Sequence, residues 1–221
     1  MTTDIAILLF DGITALDAIG PYEVLSRVPD ADVRFVAATK GEVRTDNRVL
    51  ALIADESLDD VDAADVLVVP GGFGTRALLE DATHLDWIRQ VHAQTRWTTS
   101  VCTGSLVLAA AGLLDGVDAT THWAAIDKLA RLGATPVDDR VVERGRIITC
   151  AGVSAGIDMA LVLAARLSDE VTARAIQLSI EYDPEPPYDS GSIKTATPDV
   201  LARLDKITKR SSQVQARDSR N

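Results

Sequence analysis

Short β-rich apolar runs, several of them apolar on both faces, recur along this chain between longer stretches of helical periodicity. Residues 5–10, 33–38, 66–69, 97–101 and 147–150 read as strands of this kind. A strand with no polar side has no face to offer water, so it belongs in a sheet covered by helices on both faces. The intervening stretches supply those helices, and several have legible ends. A helix over 85–95 carries Leu85, Ile88 and Val91 on one face, with His92 and Arg96 near the end where positive charge suits the dipole. Helices over 105–111 and 123–132 stop at Gly112 and Gly133, and one over 156–167 is followed by Ser168, which can cap a further helix. A helix over 16–28 contains Pro21 and is tolerable if it begins near Gly20, with the proline in its first turn. The β-α-β alternation predicts an α/β fold, a doubly wound and mostly parallel sheet.

Two segments interrupt that rhythm. Residues 42–53 read as an irregular hairpin with Asp46 and Asn47 at its turn, and DPEPPY at 183–188 is too proline-rich for a ladder or a helix interior. After a last helix over 199–209, the polar residues 211–221 are expected to be a disordered tail. With 47% hydrophobic residues among 221, the chain can bury one substantial core, so a single domain over 1–210 is expected.

A formal charge of −11 argues against a nucleic-acid partner, because that affinity comes mainly from clustered Lys and Arg on phosphates, and against anionic membrane surfaces. No apolar run has the length of a membrane span, and the N-terminal residues lack the pattern of a secretory signal. A cytoplasmic setting is therefore expected, with the two cysteines, Cys102 and Cys150, as free thiols.

Of the two, Cys102 stands where a buried strand hands over to a helix, the setting of a nucleophile elbow at the carboxyl edge of a sheet. The amides of a helix N-terminus there would favour a thiolate. The pattern by itself is equally that of a small buried cysteine. Two other segments follow strands at the same edge. The turn VPGG at 69–72 carries Gly71 and Gly72, whose amides would be free to face a substrate atom as in an oxyanion-type site, and no dinucleotide fingerprint is present. Asp17 follows the first strand; it reads as a helix N-cap or, beside a thiolate, as a carboxyl pushed toward its protonated form and able to donate a proton. His84, His92 and His122 have no metal-ligand spacing, so no metal is expected.

Taken together, LDAIGP at 16–21, VPGG at 69–72, SVCTGSLVL at 100–108, TTHW at 120–123 and SAGID at 154–158 resemble the ThiJ/PfpI (class I glutamine amidotransferase-like) superfamily, over about residues 4–200. Within it the likeness is to the bacterial isocyanide hydratases. The resemblance implies a flavodoxin-like fold, a Cys102 nucleophile with Asp17 as general acid/base, Thr103 and the Gly72 turn as pocket members, no cofactor, a small-molecule substrate, and a homodimer with the pocket near its interface. His122, Cys150 and Val153 are candidates for a supporting ring around the site. His122 otherwise reads as a packed or cap-bonding histidine, and Cys150 as a small core residue or, less simply, a resolving thiol for Cys102. The peptidase branch carries a histidine directly after its cysteine; here that place is Thr103, which removes the group that would protonate a leaving amine.

Alternatives are a glyoxalase or deglycase acting on small dicarbonyls, whose acid partner is commonly glutamate, and a redox-sensing or ligand-binding module in which Cys102 is oxidised without turnover. A transcription factor is disfavoured, since no helix-turn-helix pair is expected beyond the core.

Overall fold

A computed structural model describes residues 2–218, with side chains through 208. Eleven strands are defined among these residues: β1 (Thr3–Leu8), β2 (Ala31–Ala37), β3 (Gly41–Arg44), β4 (Ala51–Ala54), β5 (Glu56–Ser57), β6 (Val66–Val69), β7 (Trp97–Val101), β8 (Asp118–Ala119), β9 (Thr135–Pro136), β10 (Val141–Arg144) and β11 (Ile147–Cys150). The helices are α1 (Ala15–Leu25), α2 (Thr75–Leu78), α3 (Ala82–Gln94), α4 (Gly104–Ala110), α5 (Ile126–Arg131), α6 (Ala155–Leu167), α7 (Glu170–Ser179) and α8 (Pro198–Asp218). Two compact units emerge, Met1–Glu181 and Tyr182–Asn221. The second consists of a proline-rich stretch with no regular structure, then α8. Helix α8 runs on to Asp218, where a last helix over 199–209 and a disordered tail from 211 were expected; 219–221 lie outside the described residues.

The first unit holds a seven-stranded sheet in the order β10-β11-β7-β6-β1-β2-β5. Every pairing is parallel except β10 with β11. All four residues of β6 are buried, as are residues 5–8 of β1, which is why these two read as continuous apolar runs; residues 98–101 of β7 are buried too, although three of them are Thr98, Thr99 and Ser100. Each fully buried Ile, Leu or Val there contributes about 1.5–3 kcal/mol of hydrophobic free energy. The helices gather into two packed sets, α1, α6 and α7 in one and α2 to α5 in the other, so that the sheet is flanked as the pattern required.

Chain order reverses at β1, with β2 on one side and β6 on the other. In an open α/β sheet such a switch point leaves a crevice beyond the carboxyl ends of the strands. The loops leaving β1, β6 and β7 are the segments that held Asp17, Gly71 and Cys102 in the sequence.

Several local details differ from expectation. Helix α1 begins at Ala15, so Pro21 lies inside it rather than in its first turn. Pro21 cannot donate to the carbonyl of Asp17 four residues back, a loss of about 3 kcal/mol in a helix interior. Packing against α6 compensates: a β-carbon on Gly20 would stand 3.2 Å from Ile157 Cγ1, and one on Gly156 3.4 Å from Pro21 Cδ. Tertiary contact thus overrides local propensity. Helix α7 is capped by Asp169, whose carboxylate accepts from the Thr172 amide at 2.8 Å, while Ser168 donates to the Thr172 hydroxyl. The segment after His122 starts as a 3₁₀ turn, Trp123–Ala125, before α5. Strand β10 and the short β5, β8 and β9 carry no periodicity long enough to declare them. Gly112 and Gly133 do end their helices, with φ of 80° and 97°. The expected hairpin is β3 with β4, antiparallel, and Asn47 Oδ1 braces its turn by accepting from Thr45 Oγ1 at 3.0 Å and the Val49 amide at 3.1 Å.

Candidate active site

Cys102 occupies the corner between β7 and α4 with φ of 56°, a left-handed conformation that costs a residue bearing a β-carbon about 1–2 kcal/mol. The backbone around it is fully engaged. Its amide donates to the carbonyls of Cys150 at 3.1 Å and Ala151 at 3.3 Å, and its carbonyl accepts from Thr121 Oγ1 at 3.0 Å and Ser105 Oγ at 3.1 Å. The corner is also tight: a β-carbon on Gly104 would fall 2.0 Å from the Val69 carbonyl oxygen, so only glycine fits two residues after the cysteine. These contacts hold the sulfur at the carboxyl edge of the sheet, where Cys102 retains 5% of its surface in solvent.

Asp17 meets it from the first turn of α1 and is wholly buried. Its Oδ2 accepts from the Gly71 amide at 3.0 Å, whereas Oδ1 is buried without a hydrogen-bond partner among the described residues. The carboxyl and the Cys102 thiol face each other closely enough for each to bias the other's proton. Burial pushes the Asp17 carboxyl up to about 7; the Gly71 amide and Cys102 pull it back, and the charge of Asp46 adds to the rise. The N-cap role that Asp17 shared in the sequence reading falls instead on Thr14, which makes no side-chain cap bond.

The expectation that the helix N-terminus would lower the Cys102 thiol is overturned. Burial raises it well above its ordinary value, the Asp17 charge raises it further, and the Thr103 amide opposes them without prevailing. The reason is dehydration: α4 has seven residues, and its few amides do not replace the water a thiolate loses at this depth. Two adjacent acids in one buried site also resist carrying two negative charges, so the pair keeps at least one proton near neutral pH.

Gly71 and Gly72 are in the site but not in the manner expected. The Gly71 amide is committed to Asp17, and the Gly72 amide donates to Thr103 Oγ1 at 3.0 Å. Neither is left to face a substrate as an oxyanion-type donor; the turn uses them to hold the acid and the threonine. Space enforces the choice of glycine, since a β-carbon on Gly71 would stand 2.6 Å from the Thr103 amide nitrogen and 2.8 Å from Asp17 Oδ2. Thr103, half-buried, is further braced by the Thr75 hydroxyl at 3.2 Å.

The surrounding candidates sort clearly. His122 caps the 3₁₀ turn, its Nδ1 accepting from the Ala124 amide at 3.2 Å, and burial lowers its pKa and keeps it neutral. It also borders the site: a β-carbon on Gly152 would lie 2.5 Å from His122 Cδ2 and 3.0 Å from Cys102 Sγ. Cys150 ends β11 fully buried, supports Cys102 through its carbonyl, and has its thiol raised by burial. Val153 is half-buried in the turn before α6, its carbonyl accepting from the Gly156 amide at 3.4 Å. Among the described residues no three His, Cys, Asp or Glu side chains gather as a metal site requires, and no helix is long and apolar enough to cross a membrane.

Residue patterns missed Thr14, Asp46, Thr75, Thr121 and Gly152. Thr121 lies in the TTHW segment that drew attention for its histidine, and Thr75 directly follows the glycine turn. Neither carries a spacing that marks its partner, because both partners are distant in sequence.

The described geometry agrees with comparison to known proteins. The family model for the DJ-1/PfpI family matches residues 3–166. The isonitrile hydratase of Pseudomonas putida is 50% identical over 196 residues, 89% of this chain and 86% of that protein. A ThiJ/PfpI family protein from Pseudomonas syringae superposes with a TM-score of 0.89 at 37% identity, covering 98% of this chain and 90% of the other. DJ-1beta of Drosophila melanogaster superposes at 0.75 with 25% identity, covering 82% and 98%. With its three site-bearing loops at one sheet edge inside the matched span, the chain belongs to the DJ-1/PfpI family.

Proposed function

We propose that this protein hydrates isocyanides to N-substituted formamides, with Cys102 as nucleophile at an elbow and Asp17 as its general acid and base. The observation that carries the reading is a buried carboxyl beside a thiol, with an acidity near neutral and no histidine base between them. The 50% identity to an isonitrile hydratase over most of both chains supports the same reaction class.

An isocyanide carbon must gain both a nucleophile and a proton, and a thiol–carboxylate pair holding one proton supplies them in sequence. Asp17 takes the proton from the Cys102 sulfur, the sulfur adds to the terminal carbon, and Asp17 returns the proton to that carbon, giving an S-linked thioimidate. Asp17, again a carboxylate, removes a proton from water as its oxygen adds to the same carbon, and the imine nitrogen takes up that proton. The tetrahedral adduct loses its hydroxyl proton and expels the sulfur, which recovers a proton, and the formamide departs. Every proton passes through Asp17: from sulfur to carbon, from water to nitrogen, and from the adduct hydroxyl back to sulfur. A thiol that stays protonated until Asp17 accepts its proton is consistent with the raised pKa values of both groups, and it guards the sulfur against oxidation at rest. His122, neutral and capping a turn, borders the path to the sulfur without a step of its own.

The test is direct. Purified protein is incubated with a simple alkyl isocyanide and formamide is followed by mass spectrometry, with Cys102→Ala and Asp17→Asn alongside. Turnover by the parent, none by the first variant and a loss of about 10²-fold or more in the second are expected. Near-parental rates in either variant would discard the assigned roles.

A further inference from the structure

The hairpin formed by β3 and β4 lies far from the site in sequence, yet its turn is tied to Asp17 by a run of hydrogen bonds. Thr14 Oγ1 donates to Asp46 Oδ2 at 2.8 Å, and the Asp46 amide donates to the Ile13 carbonyl at 2.8 Å. The Thr14 amide donates to the Gly71 carbonyl at 3.0 Å, and the Gly71 amide donates to Asp17 Oδ2 at 3.0 Å. The Asp17 amide in turn donates to the Thr14 carbonyl at 3.0 Å. Bridges from Ile13 to Thr45 and to Gly72 lock the same junction. We propose that Asp46 is a positioning residue that holds the start of the helix carrying Asp17 and weights Asp17 toward its acid form.

This rests on the reading of Asp17 as the acid of the site. The charged and titratable groups around the carboxyl are Cys102 from the β7–α4 corner, Cys150 from the end of β11 and Asp46 from the hairpin turn; Gly71 contributes only its amide. In the same turn Arg48 forms an ion pair with Asp11 at 2.6 Å. Asp46 is half-buried, and its charge raises the pKa of the wholly buried Asp17. A like charge at that position disfavours ionised Asp17, so it adds to burial in raising the carboxyl and helps it hold the proton it takes from Cys102.

The experiment reads the protonated Asp17 carboxyl by its infrared carbonyl band, titrated in the full chain with Cys102→Ala so that the carboxyl titrates without the sulfur; the band is assigned by its disappearance in Asp17→Asn. Asp46→Asn keeps an oxygen for Thr14 but removes the charge, and it is expected to move the midpoint down by roughly 0.5–1 pH unit. Asp46→Glu keeps the charge and is expected to return the midpoint toward the parent's. A midpoint unmoved or moved upward in Asp46→Asn would overturn the inference, and should that variant not fold, a fall in the midpoint of Asp46→Ser serves in its place. The functional reading is separated by the parent's turnover: a moved midpoint in a protein that makes no formamide sinks the reaction and leaves the role of Asp46 standing.

Discussion

Replacing Asp17 with asparagine is expected to stabilise this protein above neutral pH in the same stroke that disables it. The carboxyl titrates at about 7 in the folded state against 3.8 as a free side chain. Because the folded value is raised, the unfolded chain releases this proton first as pH rises. Stability is therefore highest below about pH 4 for this group and is lost progressively up to about pH 7, after which the full penalty stands. At about 1.36 kcal/mol per pH unit, a carboxyl moved from 3.8 to about 7 costs the folded state on the order of 4 kcal/mol once ionised. Roughly 2–3 kcal/mol of that develops between pH 5 and pH 8.5. Asparagine has nearly the same shape, can accept from the Gly71 amide as Oδ2 does, and has no charge to dehydrate. Urea unfolding of parent and variant at pH 5, 7 and 8.5 reads the difference as a shift in midpoint at constant slope. The gap in favour of asparagine is expected to widen with pH by that amount. Parallel stability curves across the range would show that Asp17 does not titrate as its burial dictates, and the argument from dehydration would fail with it.

Other outcomes follow from the same structure. Gly71→Ala places a β-carbon 2.6 Å from the Thr103 amide nitrogen and 2.8 Å from Asp17 Oδ2, so a stability loss of about 1–3 kcal/mol by thermal unfolding and a severe loss of turnover are expected together. Both Cys102→Gly and Cys102→Ala remove the sulfur, but only glycine relieves the φ of 56°; the glycine variant is expected to be the more stable by about 1 kcal/mol in denaturant titrations. His92 accepts from Arg146 through Nε2 at 3.0 Å, and burial first, then the Arg146 charge, lowers its pKa below 6.5. That lowering stabilises the fold above about pH 6.5 and is lost as pH falls, so in unfolding titrations His92→Gln is expected to lose less stability than the parent between pH 6.5 and 5.

The layered α/β architecture was legible in the residues alone. Val66–Val69 has no polar side, and its burial on both faces follows locally from its composition, whereas the burial of Thr98, Thr99 and Ser100 in β7 is set by the sheet around them. The glycines that stop α4 and α5, the hairpin turn at Asp46 and Asn47, and Cys102 at a strand-to-helix corner were equally local. What escaped was whatever depends on residues far apart meeting. The passage of α1 through Pro21 is decided by Gly156 and Ile157 on another helix. The amides of Gly71 and Gly72 look free in a glycine turn, and only the fold commits them to Asp17 and Thr103. The Cys102 thiol follows the same rule: its place beside a helix start is written locally and favours ionisation, yet the depth of burial and the facing carboxyl outweigh it. Sequence by itself determined which groups exist and on which strand ends they stand, because backbone pairing and apolar pattern act over a few residues. Tertiary structure decided who holds the protons, because dehydration and charge proximity act through space and are set only once the sheet, the helices and the hairpin have closed around Asp17 and Cys102.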